Sequence, residues 1–142
     1  MIPMFKVAIN PKASEYVKRT IQSGMIGEGP RVEEFKNELK NRFKQDNIIL
    51  TNSGTSALTL ALRLAGVNGG EVITTPFTMI ATNVAIMAAG ATPVFADIER
   101  GSVSISVEDV KKKITKRTKA IVAVAVGGIP PDLKELKTLG LP

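Results

Sequence analysis

The stretch EVITTPFTMIATNVAIMAAGATPVFAD, residues 71–97, decides the fold. Residues 71–75 read as a short strand, residues 78–89 as a helix and residues 92–97 as a second strand. Its most apolar part, residues 84–96, is cut by Gly90 and Pro93 and is too short to cross a bilayer as a helix. The same rhythm continues on the C-terminal side with a helix over residues 107–115 and a strand over 119–126. The core of that strand, AIVAVAV (residues 120–126), has no polar face, as expected when helices cover both sides of a sheet.

Toward the N-terminus, NIILT (residues 47–51) has strand length and is broken by Asn52-Ser53-Gly54; a helix apolar on most of its circumference follows, from Thr55 or Ser56 to Gly66. Two amphipathic helices precede these. The first covers residues 11–22, with Asn10 as N-cap and Gly24 as terminator; the second covers residues 31–44, with Val32, Phe35, Leu39 and Phe43 as its buried stripe. After the paired Gly127-Gly128 and Pro130-Pro131, Asp132 caps a last amphipathic stretch, residues 133–139. Strands that alternate with helices predict an α/β fold, a three-layer αβα arrangement with a mostly parallel sheet and right-handed crossovers. The expected organisation is an N-terminal helical segment, residues 1–45, and an incomplete large domain, residues 46–142. Four expected strands and an unfinished crossover are fewer than a doubly wound sheet usually has.

Composition narrows the chemistry. The 142 residues contain no Cys and no His, which excludes disulfides, thiolate metal sites and the commonest general base. The formal charge of +6 comes largely from Lys111, Lys112, Lys113, Lys116, Arg117 and Lys119 around one helix, and one Tyr, five Phe and no Trp offer little for base stacking. No nucleic-acid partner is expected. Residues 1–10 lack the pattern of a signal peptide, and no segment reads as a membrane span, so the expected location is cytoplasmic.

In an open α/β sheet, ligands bind beyond the C-terminal strand ends, where loops lead into helix N-termini. The first such loop reads Asn52-Ser53-Gly54-Thr55-Ser56-Ala57. Gly54 allows close approach of an anion, the amides of Thr55, Ser56 and Ala57 are free at a helix start, and hydroxyls add donors. This is a phosphate cradle in chemistry and position; the alternative is an ordinary turn in which Ser53 only caps. It is neither a Walker A loop nor a G-x-G-x-x-G fingerprint, which argues against a Rossmann-like nucleotide domain.

Six blocks then carry a resemblance: SGMIGEGPRVEEF, TNSGTSALTLAL, TPFTMIATNVAI, GATPVFADI, ITKRTKAIVAV and GGIPPDLKEL, in this order over nearly the whole chain. Together they resemble the DegT/DnrJ/EryC1/StrS aminotransferases. The resemblance implies the N-terminal portion of the large domain of a fold-type-I pyridoxal-phosphate-dependent transferase. It implies a homodimer that moves an amino group, commonly from glutamate, to a nucleotide-linked keto sugar.

By position it implies that Gly54, Thr55 and Ser56 hold the phosphate of pyridoxal 5'-phosphate. Residues 78–82 match a segment that usually reads T-aromatic-x-A-T, so Met79 stands where an aromatic ring stacks on the cofactor, with Thr82 beside it; Met79 reads equally as a core filler. Ile26, Gly27 and Gly29 fall in a loop that resembles the substrate-side loop, or form a simple inter-helix turn. Asn83 reads as structural, and Asp97 as a turn or capping residue. The chemistry needs a lysine amine, and no lysine here suits that role. The lysine motif, the aspartate that pairs with the pyridine nitrogen and the small domain are expected after Pro142, so no transamination is expected from residues 1–142 alone. Two other readings stay open: a non-catalytic remnant that binds an anion or a partner chain, and a dehydratase member of the same family.

Overall fold

The computed structural model describes residue 2 and residues 6–142, and the chain clusters into two compact units, Met1–Leu50 and Thr51–Pro142. The reading of residues 1–10 as no leader falls partly on residues 1 and 3–5, which lie outside the described residues.

The first unit contains helices α1 (Lys12–Ser23) and α2 (Pro30–Phe43). Pro11 rather than the expected Asn10 is the N-cap of α1, with Asn10 Oδ1 accepting the Lys12 amide at 3.0 Å just ahead of it, and Gly24 stops the helix with φ of 72°. Pro30 opens α2, where its missing N–H costs nothing. The expected burial does not hold, because neither helix has a buried residue and Phe35 and Phe43 are 56% and 61% exposed. Tyr16, Val17, Ile21, Ile26 and Phe35 instead line an open groove of about 610 Å³, with the Arg31 guanidinium 5.0 Å from the centre of the Tyr16 ring. Two helices alone make one layer, and an apolar stripe is buried only when a second layer covers it. The expected strand at residues 47–51 also fails to form; it pairs with no strand among the described residues, and an unpaired extended segment is not a ladder.

The second unit holds α3 (Gly54–Leu64), β1 (Glu71–Thr74), α4 (Ile80–Ala88), β2 (Thr92–Phe95), α5 (Val107–Lys113), β3 (Thr118–Ile121), a short 3₁₀ turn (Val126–Gly128) and α6 (Leu133–Lys137). The three strands form a parallel sheet in the order β2-β1-β3. The chain moves from β1 to the β2 side through α4, then returns across β1 to β3 through α5. A right-handed rule for both crossovers demands opposite faces for the two helices, and the core confirms it. Val72 and Ala120 pack with Leu62, Ile86 and Ala89 on one face, whereas Ile73 packs with Ile105, Val107, Val110 and Leu136 on the other. Alternate residues of one strand feed alternate cores, which gives the three layers expected.

Two expectations in this unit need correction. The paired part of β3 stops at Ile121 rather than 126. Val122 still donates to Ile73 O at 2.8 Å, but beyond it β1 has ended: the Thr75 hydroxyl accepts the Phe77 amide at 3.1 Å and Pro76 has no N–H to give, so residues 123–126 lose their ladder. Helix α3 buries only Leu62, while Ala57, Ala61 and Leu64 are exposed, because α4 and the sheet cover one side of it and no element of this unit covers the other.

Candidate functional site

Helices α3 and α4 pack side by side and run in the same direction: near their C-terminal ends the Arg63 guanidinium donates to Ala88 O at 3.0 Å. Since α4 starts where β1 ends, both helix N-termini stand at the C-terminal edge of the sheet. That edge therefore gathers Gly54, Thr55 and Ser56 with Met79 and Thr82. It is also the topological switch point, where α4 leaves to one face of the sheet and the chain after β3 to the other. At that point Thr74, fully buried, donates from Oγ1 to Val122 O at 2.9 Å.

The start of α3 is built by short polar side chains. Ser53, extended at φ −159° and ψ 156°, caps the helix by accepting the Ser56 amide at 3.1 Å, and the two serine hydroxyls lie 2.9 Å apart. Ser56 Oγ donates to Asn52 Oδ1 at 2.9 Å, and Thr51 Oγ1 donates to Ser53 O at 2.9 Å. The Ala57 amide turns back to Ser53 O. Of the amides expected to be free, Ser56 and Ala57 are thus used inside the turn. Gly54 N–H, Thr55 N–H and the Thr55 hydroxyl make no hydrogen bond among the described residues. A Cβ built on Gly54 would meet nothing within 4 Å, so the space a side chain would take at this position is open. Gly54 needs no left-handed backbone, and its value is the missing side chain.

On α4, Met79 is the N-terminal flanking residue and is 74% exposed, which removes its reading as a core filler within the described residues. Thr82 is buried and its hydroxyl lies 2.9 Å from that of Thr78, tying the first turn of α4 to the loop that carries Met79. Asn83 Oδ1 is buried without a donor among the described residues, a feature no sequence pattern flagged. Asn52 was legible only as a strand breaker; its four-residue offset from Ser56, one helical turn, was the available signal.

Ile26, Gly27 and Gly29 lie in the other unit, between α1 and α2. Ile26 is 78% exposed; Gly27 and Gly29 do not adopt the positive φ that their composition permits, and Gly29 is extended at φ −170°.

Three lysines of the second unit are engaged or remote. Lys111 pairs with Glu135 at 2.5 Å, which raises its pKa, and Lys113 pairs with Asp109 at 3.1 Å. Lys119 is the second residue of β3 and packs across Gly70, at the sheet edge opposite the α3 turn. Asp97 takes the turn role expected of it: its Oδ1 accepts the Ile98 amide at 2.8 Å, and its own amide donates to Asp109 Oδ2 at 2.7 Å. That backbone bond, with Lys113 adding to it, holds the Asp109 pKa below the ordinary carboxylate value. Among the described residues no group of three acidic side chains could hold a metal ion, and no helix is long and apolar enough to cross a membrane.

A parallel sheet between helix layers, with a helix N-terminus open at its C-terminal edge, places the molecule among the open α/β proteins. The profile of the DegT/DnrJ/EryC1/StrS aminotransferase family matches residues 7–140, and the chain belongs to that family. It is 38% identical over 141 residues to GDP-perosamine synthase of Vibrio cholerae, covering 98% of this chain and 38% of that protein. The solved sugar aminotransferase CalS13 of Micromonospora echinospora superposes with a TM-score of 0.89 at 37% identity, over 98% of this chain and 38% of CalS13. Spr1654 of Streptococcus pneumoniae, a putative sugar aminotransferase solved in a PLP form, gives a TM-score of 0.89 at 32% identity, over 97% of this chain and 36% of that one. The chain thus spans little more than a third of the length of these relatives. Its likeness to them is that of part of a fold-type-I large domain.

Proposed function

We propose that this chain is the phosphate-seating front portion of a cytoplasmic, homo-oligomeric pyridoxal-phosphate aminotransferase that acts on a nucleotide-linked keto sugar with an amino acid such as glutamate as donor. The observation that carries the reading is the pair of unspent amides, Gly54 and Thr55, opening onto space that a single Cβ would invade, on the sheet edge that also exposes Met79.

These residues fit pyridoxal phosphate. Two backbone N–H groups and the Thr55 hydroxyl, without partners among the described residues, would hold an anion at the positive end of an eleven-residue helix. An exposed thioether covers an aromatic ring face with a favourable contact of about 0.3–1.5 kcal/mol. When bound, the group supplies an electron sink for breaking bonds next to an amino nitrogen. The chain's own residues seat and orient: Gly54 and Thr55 hold the phosphate, Ser53 and Ser56 keep the turn closed, and Thr82 fixes the loop that presents Met79. Ile26, Gly27 and Gly29 belong to the substrate side in this reading. In this reading none of Lys111, Lys113 and Lys119 is the covalent anchor, since the first two are ion-paired and the third lies at the far sheet edge.

The test is to incubate the chain with pyridoxal phosphate, with and without excess inorganic phosphate, reduce with borohydride and map adducts by mass spectrometry. Phosphate-competed binding without a stoichiometric adduct at one lysine is the expected result. A single fully labelled lysine overturns the division of labour, and binding indifferent to phosphate overturns the seat.

A further inference from the structure

We infer that Glu71 is a register clasp: its carboxylate, holding Thr115 and Arg117 at the N-terminal edge of the sheet, fixes which residues of β3 stand opposite β1. The inference is independent of the anion seat.

The need for a clasp comes from the sequence of β3 and its continuation. A strand with one polar face has its register set by that face, because a slip of one residue would turn its polar side chains into the core. Residues 120–126, AIVAVAV, have no polar face, so a one-residue advance along β1 meets only exchanges among Ala, Val and Ile. The far end of the pair does not choose either. There Thr74 Oγ1 donates to Val122 O and the Val122 amide donates to Ile73 O, and every residue of 120–126 carries the same backbone groups.

At the start of the pair the contacts are made by side chains. Glu71, whose side chain is 17% exposed, accepts the Thr115 hydroxyl at 2.8 Å with one carboxylate oxygen and lies 3.5 Å from Arg117 Nε with the other. Its amide donates to Arg117 O at 2.9 Å. The turn it holds is closed on itself, Thr115 Oγ1 accepting the Arg117 amide at 3.0 Å and Thr118 Oγ1 accepting the Thr115 amide at 2.9 Å. Glu71 thus stands opposite Thr118, yet Val72 stands opposite Ala120, so Lys119 is an extra residue bulged out of the ladder. Without the bulge Lys119 would face Val72, which is fully buried, so Lys119 itself excludes that register. The neighbouring register, with Ile121 opposite Val72, keeps every inward position apolar. The clasp opposes it, since that advance draws the turn about 3.3 Å away from Glu71. Register decides faces: it sends Ala120 and Val122 to one core and Ile121 and Ala123 to the other. It also decides which residue emerges beside Thr74 at the edge where α4 begins, so Glu71 acts as a positioning residue across the length of the sheet.

Backbone nuclear Overhauser contacts between residues 72–74 and 120–123, in the isotope-labelled 142-residue chain, read the register directly. Wild type should show one set, Val72 with Ala120 and Ile73 with Ile121. In Glu71→Ala a second set, Val72 with Ile121, should appear for about a tenth of the molecules or more. Thr115→Val keeps the contact between Glu71 and Arg117, and Glu71→Gln keeps an acceptor for Thr115; each should show a smaller second set. Lys111→Ala breaks an exposed ion pair between α5 and α6 and should keep the single register whatever its melting midpoint. A single register in Glu71→Ala and Thr115→Val, with lowered midpoints, would make Glu71 an ordinary structural contact and overturn the inference. If Glu71→Ala does not fold, a single register in both Thr115→Val and Glu71→Gln overturns it instead. A second register in Lys111→Ala overturns it too, by showing that any loss of stability lets the strand slip.

Discussion

The two units are written in the same amphipathic code and end differently. In Thr51–Pro142, Ile73 and Ile86 are fully buried, one on each face of a sheet between helices. In Met1–Leu50, α1 and α2 carry apolar stripes just as regular, yet no residue of either helix is buried. Periodicity prescribes which side of a helix wants cover; it does not supply the cover. A sheet with helices on both faces supplies it for its own neighbours, and a helix pair does not.

Truncations test this contrast most strongly. Ile86→Ala should destabilise the chain by about 3 kcal/mol or more, through lost transfer energy and a cavity. Phe35→Ala, at a site already 56% exposed, should cost under about 1 kcal/mol. Urea midpoints followed by circular dichroism measure both, and equal losses would break the distinction between the units. Glycine replacements come next. Gly70 has φ of +76°, and a Cβ there would sit 2.6 Å from Arg117 O, so Gly70→Ala should cost about 2–3 kcal/mol. Gly24 has a similar φ of +72° but open space around it, so Gly24→Ala should cost only the backbone strain, about 1 kcal/mol. The same urea series reads the difference, which isolates packing from conformation.

The smallest effect is electrostatic. Asp109 has a pKa lowered by the Asp97 amide and Lys113, so its stabilising contribution is present above the ordinary carboxylate range, about pH 4, and is lost as pH falls through the lowered folded value. Asp109→Asn keeps an acceptor for the amide but carries no charge. The gap in melting midpoint between wild type and this variant should therefore close as pH drops from about 5 to 2. A gap independent of pH would mean that the carboxylate charge contributes nothing to holding β2 against α5.

Most of the second unit was legible because its signals are local. Asp132 caps α6 by accepting the Glu135 amide at 2.9 Å as its type predicts, and Gly54-Thr55-Ser56 falls at the start of a helix on the expected edge. Failures occurred where the answer depended on a distant neighbour. NIILT has the composition of a strand but pairs with no strand among the described residues, and AIVAVAV ran past the end of its neighbour at Pro76. Serine hydroxyls count as donors in a sequence, whereas in the turn Ser53 and Ser56 spend their protons on each other and on Asn52.

Read alone, the sequence determined the order of the helices and strands that follow Asn52, the α/β class and the family, because periodicity, capping and turn chemistry act within a few residues along the chain. Only the tertiary structure decided which apolar stripes are covered, which strands pair and which donors stay free. Burial and hydrogen-bond satisfaction depend on groups that only folding brings together, as Thr74 and Val122 are brought together at the sheet edge.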